Sequence, residues 1–123
     1  MQGMDDLVQF LRDRLVEDQR EAAAASPGPW HVDAEADEVL AVDDIVVAEG
    51  FALSGRQLRA TTRHIARHDP ARVLREVEAK RQLIDWVLRW PMRPAPPSSV
   101  DGVLERLALP YSDHPDYQDT WRP

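Results

Sequence analysis

The sequence predicts a mainly helical α+β fold, and three observations carry that prediction. Apolar residues recur at spacings of three and four in residues 4–25, 56–68 and 70–90, the period of a helix with one buried side. Between the first two stretches, residues 30–48 switch to alternation and short β-branched runs, the pattern of strands. Proline and glycine punctuate the joins, where neither kind of ladder continues.

In residues 4–25, Met4, Leu7, Val8, Leu11, Leu15 and Ala22 share one helical face. Asp5 and Asp6 fall in its first turn, where the helix dipole favours negative charge. Ser26-Pro27-Gly28-Pro29 ends the helix, and the rigid turn sets the angle at which Trp30 enters the next element, most simply as a core anchor. In residues 30–48 the runs VLAV and IVVA flank Asp43-Asp44, which predicts a small antiparallel β-hairpin or meander. An isolated hairpin is marginal in water, so Trp30, Val39, Ile45 and Val47 are expected to face a helix or a third strand.

A loop over 50–55 leads into a helical hairpin spanning 56–90. Its first helix carries Leu58, Thr62, Ile65 and Ala66 inward and stops near His68, because the residue before a proline is pushed out of the α region. Asp69 then suits the N-cap and Pro70 the first position of the second helix. That helix is expected to bury Val73, Leu74, Val77, Ile84, Val87 and Leu88, with Glu76 and Lys80 paired on its outer side. Residues 91–99 form a Pro-rich, extended connector. A short C-terminal helix over 100–108 turns Val103, Leu104 and Leu107 inward, and a tail follows whose Tyr111, Tyr117 and Trp121 dock on the core.

Length and composition bound the function. A chain of 123 residues supports one hydrophobic core, so a single domain over 1–123 is expected. Cysteine is absent, which excludes disulfides, thiolate zinc sites and cysteine nucleophiles. The N-terminal stretch lacks the pattern of a secretory leader, and no run of about 20 apolar residues offers a membrane span, so a cytoplasmic protein with no membrane partner is expected. The net charge of −7 conceals a segregation: residues 1–55 hold 3 basic and 13 acidic side chains, residues 56–93 hold 10 and 4, and residues 94–123 hold 2 and 5. The simplest consequence is internal attraction, with the acidic first third lying against the basic centre.

Two constellations carry chemical interest. His64 and His68, four apart on a predicted helix, share one face at a spacing a divalent metal can bridge, and Asp113 and His114 would complete the set if the tail folds back. Without the glutamate of a metalloprotease motif the signal is weak, and histidines near a helix end more often serve carbonyls there. Arg56, Arg59, Arg63, Arg67, Arg72 and Arg75 invite a nucleic-acid reading, but the chain is acidic overall and the second helix opens PARVLREVEAK, so partnership with the acidic first helix ranks higher and nucleic acid lower. His31 and the pair Asp43 and Asp44 are expected to face solvent, and no GxSxG, P-loop or GxGxxG occurs.

The segments MDDLVQFLRDRLVEDQREAAAASPGPW, HIARHDPARVLREVEAKR and LALPYSDHPDYQDTWRP resemble, in that order, a family of small actinobacterial and actinophage proteins known as a domain of unknown function. SPGPW followed by HIARHDPARVLREVE is more distantly similar to the Ead-type accessory proteins of phages, with Ser26 where those carry threonine and His64 where they often carry an apolar residue. The resemblance implies a phage or mobile-element origin and supplies no catalytic residues. The expected function is that of a noncatalytic accessory protein that binds a host or phage protein or associates with a second copy, without a cofactor. The alternatives are a metal-dependent hydrolase using zinc or another divalent ion at His64, His68 and His114, and a nucleic-acid-binding regulator using the arginines of 56–81.

Overall fold

The apolar stripes of the sequence become four helices and one small sheet in a computed structural model, which describes residues 2–51, 53–89 and 97–123. The order is α1 (Gln2–Ala24), β1 (His31–Val32), β2 (Glu38–Leu40), β3 (Val46–Glu49), α2 (Gly55–Arg67), α3 (Pro70–Leu88) and α4 (Pro97–Ala108), with 3₁₀ turns at Leu109–Tyr111 and Asp119–Trp121. No helix among the described residues is long and apolar enough to cross a membrane. The architecture is the predicted mainly helical α+β, with the meander form of the sheet. Residues 91–96 of the expected connector lie outside the described residues, and the last helix begins at Pro97, three residues earlier than its pattern suggests.

The chain divides into two compact units, residues 1–17 with 77–123, and residues 18–76. Both boundaries fall inside helices, so α1 and α3 each contribute to both units.

In the first unit Leu7, Phe10, Leu11 and Leu15 of α1 are buried together with Val77, Ile84 and Val87 of α3 and Leu104 and Ala108 of α4. The aromatic tail closes on Phe10: Tyr111, His114, Tyr117 and Trp121 place their rings 6.3, 5.6, 6.0 and 5.0 Å from it, the first three edge-on as the ring quadrupoles prefer. Arg14, one turn on, lies over the same ring at 5.0 Å and is itself buried. Its guanidinium reaches the His114 ring and donates to Glu17 at 3.0 Å. An ion pair joins α1 to α3, Arg12 to Asp85 at 3.3 Å, and is exposed on both sides.

In the second unit the strands form an antiparallel sheet of order β1-β2-β3, with Val32 opposite Val39 and Val39 opposite Ala48. Two turns without glycine hold it. In the first, Asp33 Oδ1 accepts the backbone N–H groups of Asp37 and Glu38 at 2.9 and 3.0 Å, and Ala36 takes a left-handed φ of 57°. In the second, Ala41 and Ile45 pair across the turn and Asp44 takes the left-handed φ of 59° that an aspartate tolerates. α2 packs on β1 and β2. Thr62 is its one fully buried residue, with its hydroxyl donating to the Ala36 carbonyl and sharing the Leu58 and Arg59 carbonyls at 3.1 and 3.2 Å.

The junction of α2 and α3 is built on one carboxylate. Buried Asp69 caps α3 by accepting the Arg72 N–H on Oδ1 at 2.8 Å, and its Oδ2 accepts the Trp30 N–H at 2.8 Å. The SPGPW segment therefore hangs from the start of α3. It passes so close that a Cβ on Gly28 would lie 2.8 Å from both Asp69 Oδ2 and Ala71 Cβ. The Gly28-Pro29 peptide is cis, and the Trp30 indole donates to the Ser26 carbonyl at 2.9 Å.

Three expectations are corrected. Ile45 lies 60% exposed, because the ladder shifts register between Val39 and Leu40 and leaves Ile45 in the turn. Leu74 is 38% exposed, outside the buried face that Val77, Ile84 and Val87 define. The internal attraction of acidic and basic segments is not realised through α2: among the described residues no ion pair joins its arginines to any acid. The cause is steric, since burying Thr62, with Leu58 and Ile65 half-buried beside it, turns the arginines of α2 away from the sheet.

Candidate functional site

Three surfaces of the second unit bring chemically suggestive residues together. The first is the outer face of α2. Arg56, Arg59, Arg63 and Arg67 follow one another at three, four and four residues, once per turn, and all four are exposed. α2 carries no acidic residue. Of the remaining arginines, Arg72 is engaged by Glu76 at 2.9 Å and Arg75 is exposed on α3.

The file ends at His64 and His68, whose rings lie 4.4 Å apart and tilted by 39°. His68 Nδ1 sits 2.9 Å from the His64 carbonyl, which only accepts, so in the neutral ring the proton is on Nδ1 and the lone pair on Nε2. This is the tautomer a metal-ligating histidine uses, and two imidazoles are two ligands. Asp113 and His114 belong to the other unit. There His114 packs on Phe10, meets Arg14, and accepts the Asp116 N–H at 3.0 Å on Nδ1, while Asp113 is exposed.

The second surface is the rim of the β2–β3 hairpin. Phe51, past the other end of β3 and beside the β1–β2 turn, is 94% exposed, while at the β2–β3 turn itself Val42, Ile45 and Val46 are 54, 60 and 46% exposed. Asp43 and Asp44 stand among them, Asp44 within 3.2 Å of exposed His31. β3 is an edge strand, so one side of its backbone is unpaired.

The third is a cleft of about 270 Å³ beside the SPGPW segment, with Asp18, Glu21, Trp30, His68, Pro70 and Val73 in its walls. Trp30 is thus partly presented as well as anchored.

The β1–β2 turn adds a cluster that sequence reasoning passed over. Asp33, Glu35 and Asp37 bring one carboxylate oxygen each within 4.8 Å of one another, the single such group of three among the described residues. The hydrogen bond from the Asp37 side chain, with that from the Glu38 N–H, holds Asp33 below its ordinary value. The same bond, with partial desolvation and the charge of Asp33, raises Asp37. Alternate acidic residues in a turn are the only sign the sequence offers, and they are indistinguishable there from solvated turn residues.

Tyr111, Tyr117 and Trp121 gather around Phe10 in the first unit, and Lys80 lies 6.0 Å over the Tyr111 ring. Comparison with curated proteins and with solved structures finds no match. A family model does match, over residues 4–123, and it spans every surface described above. The chain belongs to that family, DUF6221, a family of unknown function.

Proposed function

We propose that the chain is a noncatalytic accessory protein, of the kind carried by phages and mobile elements and acting in the cytoplasm, that binds a protein partner through the rim of the β2–β3 hairpin. The observation that carries this reading is the exposure of Val42, Ile45 and Val46 together at the β2–β3 turn. Clustered apolar side chains in contact with water are a cost that a fold avoids unless something covers them. Asp43 and Asp44, exposed within the rim, select a partner whose apolar patch is bordered by basic side chains. The likeness of SPGPW and the following helix pair to phage accessory proteins supports the biological setting.

Site-specific photocrosslinking in cells tests it. A photoreactive residue at Ile45 or Val46 is expected to give one discrete adduct with another protein, and the same residue at exposed Gln9 none. Adducts equal in yield at all three positions, none at all, or an adduct of twice the chain's own mass refutes the reading. The variant Ile45→Ser is expected to abolish the adduct formed from a probe at Val42, and to shift stability by no more than about 0.5 kcal/mol, since surface positions outside a packed core are near neutral.

A further inference from the structure

We propose that the outer face of α2 is a nucleic-acid contact, in which Arg56, Arg59, Arg63 and Arg67 engage successive phosphates of a polynucleotide backbone without reading bases. The inference is independent of the hairpin rim and concerns a different face of the same unit.

Geometry is the first argument. Eleven residues separate Arg56 from Arg67, which at 1.5 Å per residue is a file about 16 Å long with a guanidinium at every turn. A duplex presents a phosphate about every 3.4 Å of axis on each strand, so one strand offers about five over that length. A linear array of like charges fits a linear polyanion. Nothing else in the helix competes, since it holds no acid and its intervening exposed positions include the small Ala60, which lets a backbone approach.

Energetics is the second. Arg59, Arg63 and Arg67 are like charges at successive i,i+4 positions, and each such pair costs an isolated helix about 0.2–0.5 kcal/mol. Arg56 sits in the first turn, at the positive end of the helix dipole, where a cation is also disfavoured. Among the described residues none of the four recovers this through an ion pair. Apart from Arg67, which the same dipole favours in the last turn, the arrangement works against the fold and is favourable toward an outside anion.

Residue type is the third. All four cations are arginine and none is lysine, and the planar guanidinium fork matches two phosphate oxygens where an ammonium offers only a point charge. Bases are not read, because a single file of arginines follows one strand and leaves no second row of polar side chains to enter a groove. The acidic hairpin on the same unit limits how much of the face a polyanion covers, so the contact is modest in strength and steep in its response to salt.

Fluorescence anisotropy of untagged protein tests the proposal, with labelled single strands and duplexes of about 20 nucleotides and scrambled sequence, between about 50 and 200 mM salt. Four phosphate contacts predict a slope of log K against log salt of about −3.6 for duplex and about −2.8 for single strand. The double variant Arg59→Gln with Arg63→Gln is expected to halve either slope and leave the thermal midpoint unchanged or raised. Arg75→Gln on α3 is expected to leave the slope as it was. Absence of binding at the lowest salt, a slope unchanged in the double variant, or equal displacement by polyglutamate at equal charge overturns it, the last because it would assign the face to an acidic protein. Concentration-dependent self-association without nucleic acid, lost in the double variant, overturns it as well, in favour of a second copy.

Discussion

Replacing Asp69 separates the two tasks of the carboxylate that joins SPGPW to α3. One oxygen caps the helix through the Arg72 N–H and the other holds the Trp30 N–H, both at 2.8 Å and both buried. Asp69→Ala removes both acceptors. Loss of an N-cap costs about 0.5–2 kcal/mol, and a backbone N–H left buried without a partner costs about 1–3 kcal/mol. The sum is about 1.5–5 kcal/mol, large against the usual stability of a small domain. Asp69→Ser keeps a capping oxygen and abandons Trp30, so it should lose only the second part. Asp69→Asn keeps the shape but offers one oxygen to two donors and turns its NH₂ against the other, so it should fall near the serine variant.

The order expected in urea midpoints at constant m-value is therefore wild type, then Ser and Asn together, then Ala. Hydrogen exchange localises the effect, with the Trp30 amide losing protection in all three variants and the Arg72 amide only in alanine. An asparagine variant within about 0.5 kcal/mol of wild type would show that the Trp30 link contributes nothing, and the account of how SPGPW is held would fail. Gly28→Ala, whose new methyl would press on the same oxygen, should be less damaging in the Asp69→Ala background than in the native one, because the sites share a contact.

Thr62→Val keeps the volume of a buried side chain and removes its hydroxyl, leaving the left-handed Ala36 turn without that donor; a loss of about 1–3 kcal/mol is expected by chemical denaturation, and a neutral result would mean that water or another group serves the carbonyl. Phe10→Ala removes the ring on which the tail is seated and should cost about 3–5 kcal/mol, with the fluorescence of Trp121, measured in a variant whose other tryptophans are replaced by phenylalanine, moving to the red as the tail is wetted; an unshifted spectrum would contradict its docking. The acidic turn makes a pH prediction. Asp33, held below its ordinary value, contributes stability that is present above the unfolded value and is lost as pH falls through the depressed one. Asp37, raised, stabilises only while protonated, a contribution present below the unfolded value and lost as pH rises through the raised one. Asp37→Asn supplies the donor at every pH, so it should raise the urea midpoint at neutral pH by an increment that vanishes in acid; an increment independent of pH would rule out the shared proton.

The helices were legible because Leu7, Leu11, Leu15, Val77, Ile84 and Val87 recur with helical period and because Asp69-Pro70 is both a stop and a start. Their contents were less so. Phe10 and Arg14 point inward beside Leu7 and Leu11, yet a charged residue at position 14 obscures the stripe, so the receptor of the aromatic tail went unnamed while the tail's docking residues did not. Ile45 followed strand alternation until the register shift at Val39 moved it into a turn, an event no spacing rule records. The charge blocks were legible, but a net sum per segment does not say which side of a helix its cations occupy, and the sheet fixed that for α2 by covering the opposite side. His64 and His68 were legible as a pair from their spacing, whereas the Asp33, Glu35 and Asp37 cluster depends on a left-handed Ala36 that sequence does not signal.

The boundaries inside α1 and α3 bear on how the polypeptide assembles as it is made. Residues 18–76 are contiguous and complete in themselves once translated, but the unit containing Phe10 is interrupted by them. Arg14 must wait for His114, a hundred positions later, and Phe10 for Trp121. Until the tail around residues 114–121 is made, the ring of Phe10 lacks the partners that cover it, so this part of the fold closes late in the order of synthesis.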